Sequence, residues 1–69
     1  MMPASTSIKR IRISLLLTQN DFADLIGVTK SSICKYEKGL MAPRMDVIRK
    51  IKKVAEENDM EIRIEDFFD

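Results

Sequence analysis

A chain of 69 residues allows one domain with a small core, and at this size folding buries only about 60% of the unfolded surface. Charged residues make up 33% and hydrophobic residues 45%, the balance of a soluble globular domain rather than a disordered segment, and no apolar run approaches the ~18 residues of a membrane span. With no histidine, zinc binding and histidine-based acid–base catalysis are not expected, and the single cysteine cannot form an intramolecular disulfide.

The net charge of +1 conceals an uneven distribution. Residues 1–53 carry eleven Lys/Arg against four Asp/Glu, whereas residues 54–69 carry one arginine against seven acids. Such asymmetry suggests one face that meets a polyanion and another that does not. The plain alternative is a solvated surface with its charges clustered by chance. The N-terminus MMPASTS lacks the basic-then-apolar order of a signal peptide, so a cytoplasmic location is expected.

Residues 1–6, small and polar around Pro3, read as a flexible tail, followed by a single domain over 7–69. Ser7 can cap a first helix running to about Leu16, with Ile8, Ile11 and Leu15 forming its buried stripe. Ile13 and Leu16–Leu17 should widen the apolar side at its end. Thr18 is a good N-cap for a second helix, with Asp21 as the acidic half of a capping box. Phe22, Ala23, Leu25 and Ile26 then follow at helical spacing, and Gly27 closes that helix. Thr29 caps a third helix with Ile33 and Tyr36 on its inner side, and Gly39 ends it. The loop Leu40-Met41-Ala42-Pro43 leads to a fourth helix whose core face is Val47, Ile48, Ile51, Val54 and Ala55. Asn58-Asp59 ends it, and the terminal MEIRIEDFFD is expected to form a loop and a short fifth helix at about residues 64–68. A helix, a glycine turn and a second helix is the geometry of a helix-turn-helix unit.

On a third helix of about Lys30 to Lys38, Lys30, Ser31, Lys35 and Lys38 fall largely on the exposed side, with Ser32 and Cys34 on its flanks. Lys30 is badly placed for its own helix, since a cation in the first turn opposes the dipole at a cost of ~0.3–1 kcal/mol. One explanation is that Lys30 enters the major groove N-terminus first and donates to a guanine edge or a phosphate. The other is a tolerated surface lysine. Cys34 reads as an inert thiol.

The chain resembles the Cro and phage-repressor type of helix-turn-helix protein over roughly residues 7–68. The matching residues are Thr18-Gln19, Ala23, Gly27-Val28-Thr29, Ile33, Tyr36-Glu37, Gly39 and the terminal Ile62-Arg63-Ile64-Glu65-Asp66-Phe67-Phe68. The resemblance implies an all-α, compact five-helix lambda-repressor-like domain with the helix-turn-helix at helices 2 and 3. It places Lys30, Ser31 and Lys35 at base-reading positions. Gln19 matches a residue that bonds a phosphate and braces the first reader side chain, and Lys38 and Arg44 match phosphate-contacting positions. Thr18, Thr29 and Ser32 complete the phosphate-facing or bracing set. An arginine of the first helix pairs with the glutamate after the aromatic position in relatives, which here means Arg12 and Glu37.

The implied function is a sequence-specific regulator of double-stranded DNA, a Cro-like repressor bound as a homodimer to a palindromic operator, with the C-terminal segment a candidate for the dimer contact. A restriction–modification controller, an antitoxin, or a protein-interaction module without DNA binding are the alternatives. No catalytic residue, metal, other cofactor, membrane or small-molecule ligand is expected.

Overall fold

The computed structural model describes residues 4–63. They form four α-helices in the order α1 (Ala4–Ser14), α2 (Gln19–Ile26), α3 (Lys30–Glu37) and α4 (Met45–Glu57), and no strand occurs among the described residues. The fold is all-helical, as the periodicities predict. The expected fifth helix lies at residues 64–68, outside the described residues, and 60–63 carry no regular structure. Among the described residues no helix is long and apolar enough to cross a membrane.

One core holds the helices together. Ile8 and Ile11 of α1, Phe22, Ala23 and Ile26 of α2, Ile33 and Tyr36 of α3, and Val47, Ile48, Ile51 and Ala55 of α4 are buried in a single cluster. Leu15, Leu17, Val28, Val54, Met60 and Ile62 pack against its edges. Each fully buried Ile or Phe contributes about 1.5–3 kcal/mol over an exposed position, so seven such side chains carry most of the stabilisation. Helix α3 packs against both α1 and α2, so the helix whose outer face matters most has two supports beneath it.

The starts of α2 and α3 follow the capping rule. The Thr18 side chain accepts a hydrogen bond from the Asp21 amide and the Thr29 side chain accepts one from Ser32, each at 3.0 Å. Asp21 returns no side-chain bond to Thr18, so it serves α2 through its charge near the helix N-terminus.

Helix α1 differs from the expectation at both ends. It begins at Ala4, so residues 4–6 of the expected tail are helical and Ser7 is a buried member of the helix rather than its cap. At the other end Leu16 leaves the helix with φ 59° and is 92% exposed, and Ile13 is 52% exposed. Of the three residues expected to widen the apolar side there, only Leu17 packs on the core. Leu25 of α2 is likewise exposed, at 54%.

All four helices close alike. A residue with positive φ follows the last turn, and the next amide reaches back to a carbonyl five residues earlier: Leu17 to Arg12, Val28 to Ala23, Leu40 to Lys35 and Met60 to Ala55, at 2.9–3.2 Å. The left-handed residues are Leu16, Gly27, Gly39 and Asp59. Such closure satisfies helix-end carbonyls that would otherwise lack a partner. It is inexpensive at the two glycines and costs backbone strain at Leu16 and Asp59.

Candidate nucleic-acid interface

The outer surface of α3 is the most basic feature of the helix pair. At 100° per residue, Ser31, Lys35 and Lys38 stand opposite the buried Ile33 and Tyr36, and all three are exposed. Lys30 is the first residue of α3 and is also exposed, directly after the Thr29 cap. No acid shares the first turn with it, so its charge opposes the helix dipole without local compensation. Ser32 and Cys34 sit half-buried on the two flanks.

Beneath this surface lies a polar cluster that ties α3 to α1 and to the start of α2. Arg12 Nε donates to Glu37 Oε2 at 2.7 Å and its Nη2 donates to Glu37 Oε1 at 3.1 Å, a two-pronged carboxylate grip. Arg12 Nη1 also donates to the Leu17 carbonyl at 3.0 Å, which fixes the loop between α1 and α2. The Arg12 and Glu37 side chains keep only 14% and 5% of their exposure. The Glu37 carboxylate raises the Arg12 pKa further through hydrogen bonding and charge, against the opposing pull of burial, so the guanidinium stays cationic. The expected pair is therefore formed, and it is anchored at three points.

Gln19 belongs to the same cluster. Its Nε2 donates to Glu37 Oε1 at 3.1 Å, so the first residue of α2 is braced directly against the last residue of α3. The sequence expectation made Gln19 a phosphate ligand and a brace for a reader side chain, and did not foresee this bond to Glu37. A carboxylate buried this deeply needs several donors, and Gln19 supplies one.

Arg44 is exposed and occupies the N-cap position of α4, where it makes no side-chain cap. Between it and α3 lies a groove of about 380 Å³ that Ser32, Tyr36, Arg44 and Asp46 line, with Val28 and Val47 among its apolar walls. The groove runs along the Ser32 flank of α3, on the opposite side from Gln19. Thr29 Oγ1 donates to Ser32 Oγ at 3.0 Å at the N-terminal end of that flank. Thr18, by contrast, serves its own helix as cap.

One further cation was not singled out by the sequence. Lys50 of α4 reaches over the turn, its Nζ standing 3.8 Å from the position that a side chain on Gly27 would occupy. It faces the C-terminal end of α2, where the dipole favours a positive charge. Twenty-three residues separate the two in sequence, so no local pattern marks the contact.

Two capped helices joined by a left-handed glycine, with the second helix basic on its outer face, define a helix-turn-helix domain. The chain belongs to the helix-turn-helix family of the Cro and phage-repressor type: a family model described as Helix-turn-helix matches residues 8–55. That family is one of DNA-binding transcriptional regulators, generally without enzymatic activity, and this is the class in which the chain stands. Among curated proteins the cryptic phage CTXphi transcriptional repressor RstR of Vibrio cholerae is 35% identical over 49 residues. The aligned region covers 71% of this chain and 44% of that repressor, so the chain spans less than half the length of the relative. No solved structure matches the chain.

Proposed function

We propose that this domain reads double-stranded DNA as a sequence-specific repressor, with α3 in the major groove and a second copy on the other half of a palindromic operator. The observation that carries the reading is the uninterrupted exposed row Ser31, Lys35 and Lys38, with Lys30 at its leading end. Lys35 and Lys38 suit the C-terminal end of α3, but Lys30 works against its own helix, so the fold gives no reason for it. Lys30 and Lys35 are assigned to guanine edges, where a lysine donates to O6 and N7, and Ser31 to a less discriminating contact. Lys38 and Arg44 grip phosphates on either side. Ser32, Thr18 and Thr29 hold the geometry around them, and the Gln19 amide, already bonded to Glu37, presents the start of α2 to the backbone.

A two-fold arrangement suits the dimensions. The domain measures 24 × 24 × 20 Å across its Cα atoms, and adjacent half-sites on one face of the duplex lie ~34 Å apart. Two copies so placed leave a gap that two layers of side chains span, which supports contact between them. Their symmetry would be mirrored by an inverted repeat in the DNA. The 35% identical relative is a phage transcriptional repressor, which favours repression, by occlusion of a promoter, over activation.

Selection of bound sites from a random duplex pool tests base reading, half-site spacing and symmetry together. The expected result is an inverted repeat with guanines in each half. Lys30→Ala and Lys35→Ala should each lower affinity for the selected site by about 1–3 kcal/mol and relax preference at one position. Unchanged preference in both variants would remove α3 as the reader.

A further inference from the structure

The closure shared by the four helices sets one residue apart. The amide that reaches back five residues belongs each time to an apolar residue: Leu17, Val28, Leu40 and Met60. Leu17, Val28 and Met60 are half-buried and pack against the core, the apolar contact that frequently accompanies this closure. Leu40 has the same backbone geometry, after Gly39 at φ 73°, yet its side chain is 73% exposed and lies outside the core cluster. Three closures tuck their apolar residue inward, and the one at the end of the reading helix does not.

The neighbours of Leu40 show what kind of surface would cover it. Its amide donates to the Lys35 carbonyl at 2.9 Å, so Leu40 stands beside a residue assigned to base reading. Lys35 and Lys38 are both exposed, so the occupant that complements this end of α3 is a polyanion. A phosphate gains nothing from a leucine, which has neither a charge nor a proton to donate. On the major-groove edges of the base pairs one apolar group is presented, the 5-methyl of thymine.

We propose that Leu40 is a specificity-determining residue that packs on the 5-methyl group of a thymine next to the guanine read by Lys35. This inference rests on the major-groove reading above. It adds to each half-site a base chosen by apolar contact rather than by a hydrogen bond. Uracil has the hydrogen-bonding edge of thymine and lacks only the methyl, so the contact tells the two apart.

The test uses the full chain and duplexes selected from a random pool, with affinity read by anisotropy. Leu40→Ala removes exposed atoms, so its melting temperature should match that of the wild type. Sites selected by the wild type should carry a thymine at a fixed position beside the guanine that Lys35→Ala ceases to select. Sites selected by Leu40→Ala should keep that guanine and lose the thymine. Replacing the thymine by deoxyuridine should weaken wild-type binding about fourfold, the worth of one buried methyl group, and leave Leu40→Ala binding unchanged. A wild-type pattern without the thymine, or equal wild-type affinity for the thymine and deoxyuridine duplexes, would overturn the contact. Guanines still selected in that case would leave α3 standing as the reader. An equal loss for all duplexes in Leu40→Ala, with a smaller sedimenting species, would assign Leu40 to a contact between two copies and overturn the proposal as well. A wild-type chain that selected no site at all would instead strike the DNA reading itself, and this contact with it.

Discussion

Leu16 shows how one residue can serve the fold in an unfavourable conformation. It closes α1 at φ 59° with its side chain almost wholly in solvent, so it bears left-handed strain and gains little burial in return. An L-residue in this region loses about 1–2 kcal/mol, and glycine recovers this less about 0.5–1 kcal/mol of added chain entropy. Leu16→Gly should therefore raise stability by up to about 1 kcal/mol, visible as a higher melting temperature, without altering DNA affinity. A lower melting temperature would mean that the exposed leucine makes contacts that outweigh its backbone strain. Gly27 presents the converse case. At φ 85° with Lys50 Nζ close by, any side chain there would be strained before it met a neighbour.

Helices α2, α3 and α4 were legible in the sequence because their boundaries are written locally. Thr18 and Thr29 bond their own third residues, and Gly27 and Gly39 supply left-handed closure where expected. Helix α1 was harder to read. Ser7 looks like a cap, yet it lies beside Ile8 on the inner face, so the helix continues through it to Ala4. The closure at Leu16 was hidden for a related reason, since a leucine carries no sign that its backbone will turn left-handed. The Arg12–Glu37 pair entered through resemblance, and the structure adds the two contacts around it. Gln19 and the Leu17 carbonyl reach this pair only because α1, α2 and α3 converge there, a tertiary fact without local signature.

The cluster makes α1 a working part of the reader. Arg12→Ala leaves Glu37 buried with one amide donor, and removal of one partner from a buried pair costs about 3–5 kcal/mol. For a domain of this size such a loss is a large part of the total, so the variant should melt far below the wild type. Exchange of both partners for apolar residues, Arg12→Met with Glu37→Leu, should recover much of the loss, because the intact pair adds little net stability. Failure of the double variant to recover would show that the hydrogen bonds to Leu17 and Gln19 matter more than the charges.

Over the whole molecule, charge decides how the surface is used. The lysines and arginines of residues 1–53 outnumber their acids by seven, and of those four acids Glu37 is already engaged by Arg12. On α4 Lys52 pairs with Glu56 at 3.0 Å, a surface contact worth a few tenths of a kcal/mol at most. Much of the positive charge therefore stays available to phosphates, and affinity for any duplex should fall steeply with salt. Lys38→Ala should weaken binding to all sequences alike and flatten the salt slope by about one unit. A slope equal to that of the wild type would place Lys38 away from the backbone.

The grip of Arg12 on Glu37 also bears on the order of assembly during folding. The helices are short and local, as in chains that fold within microseconds to milliseconds, but this pair joins residues 25 apart in sequence. Its geometry needs α1, the following loop and α3 all in place, so it should form after the main barrier. Weakening it would then leave the refolding rate nearly unchanged and accelerate unfolding by about a hundredfold for a 3 kcal/mol loss. On that view the contact that holds the reading helix in position is a late lock, and its chief effect is on how long each folded molecule stays folded.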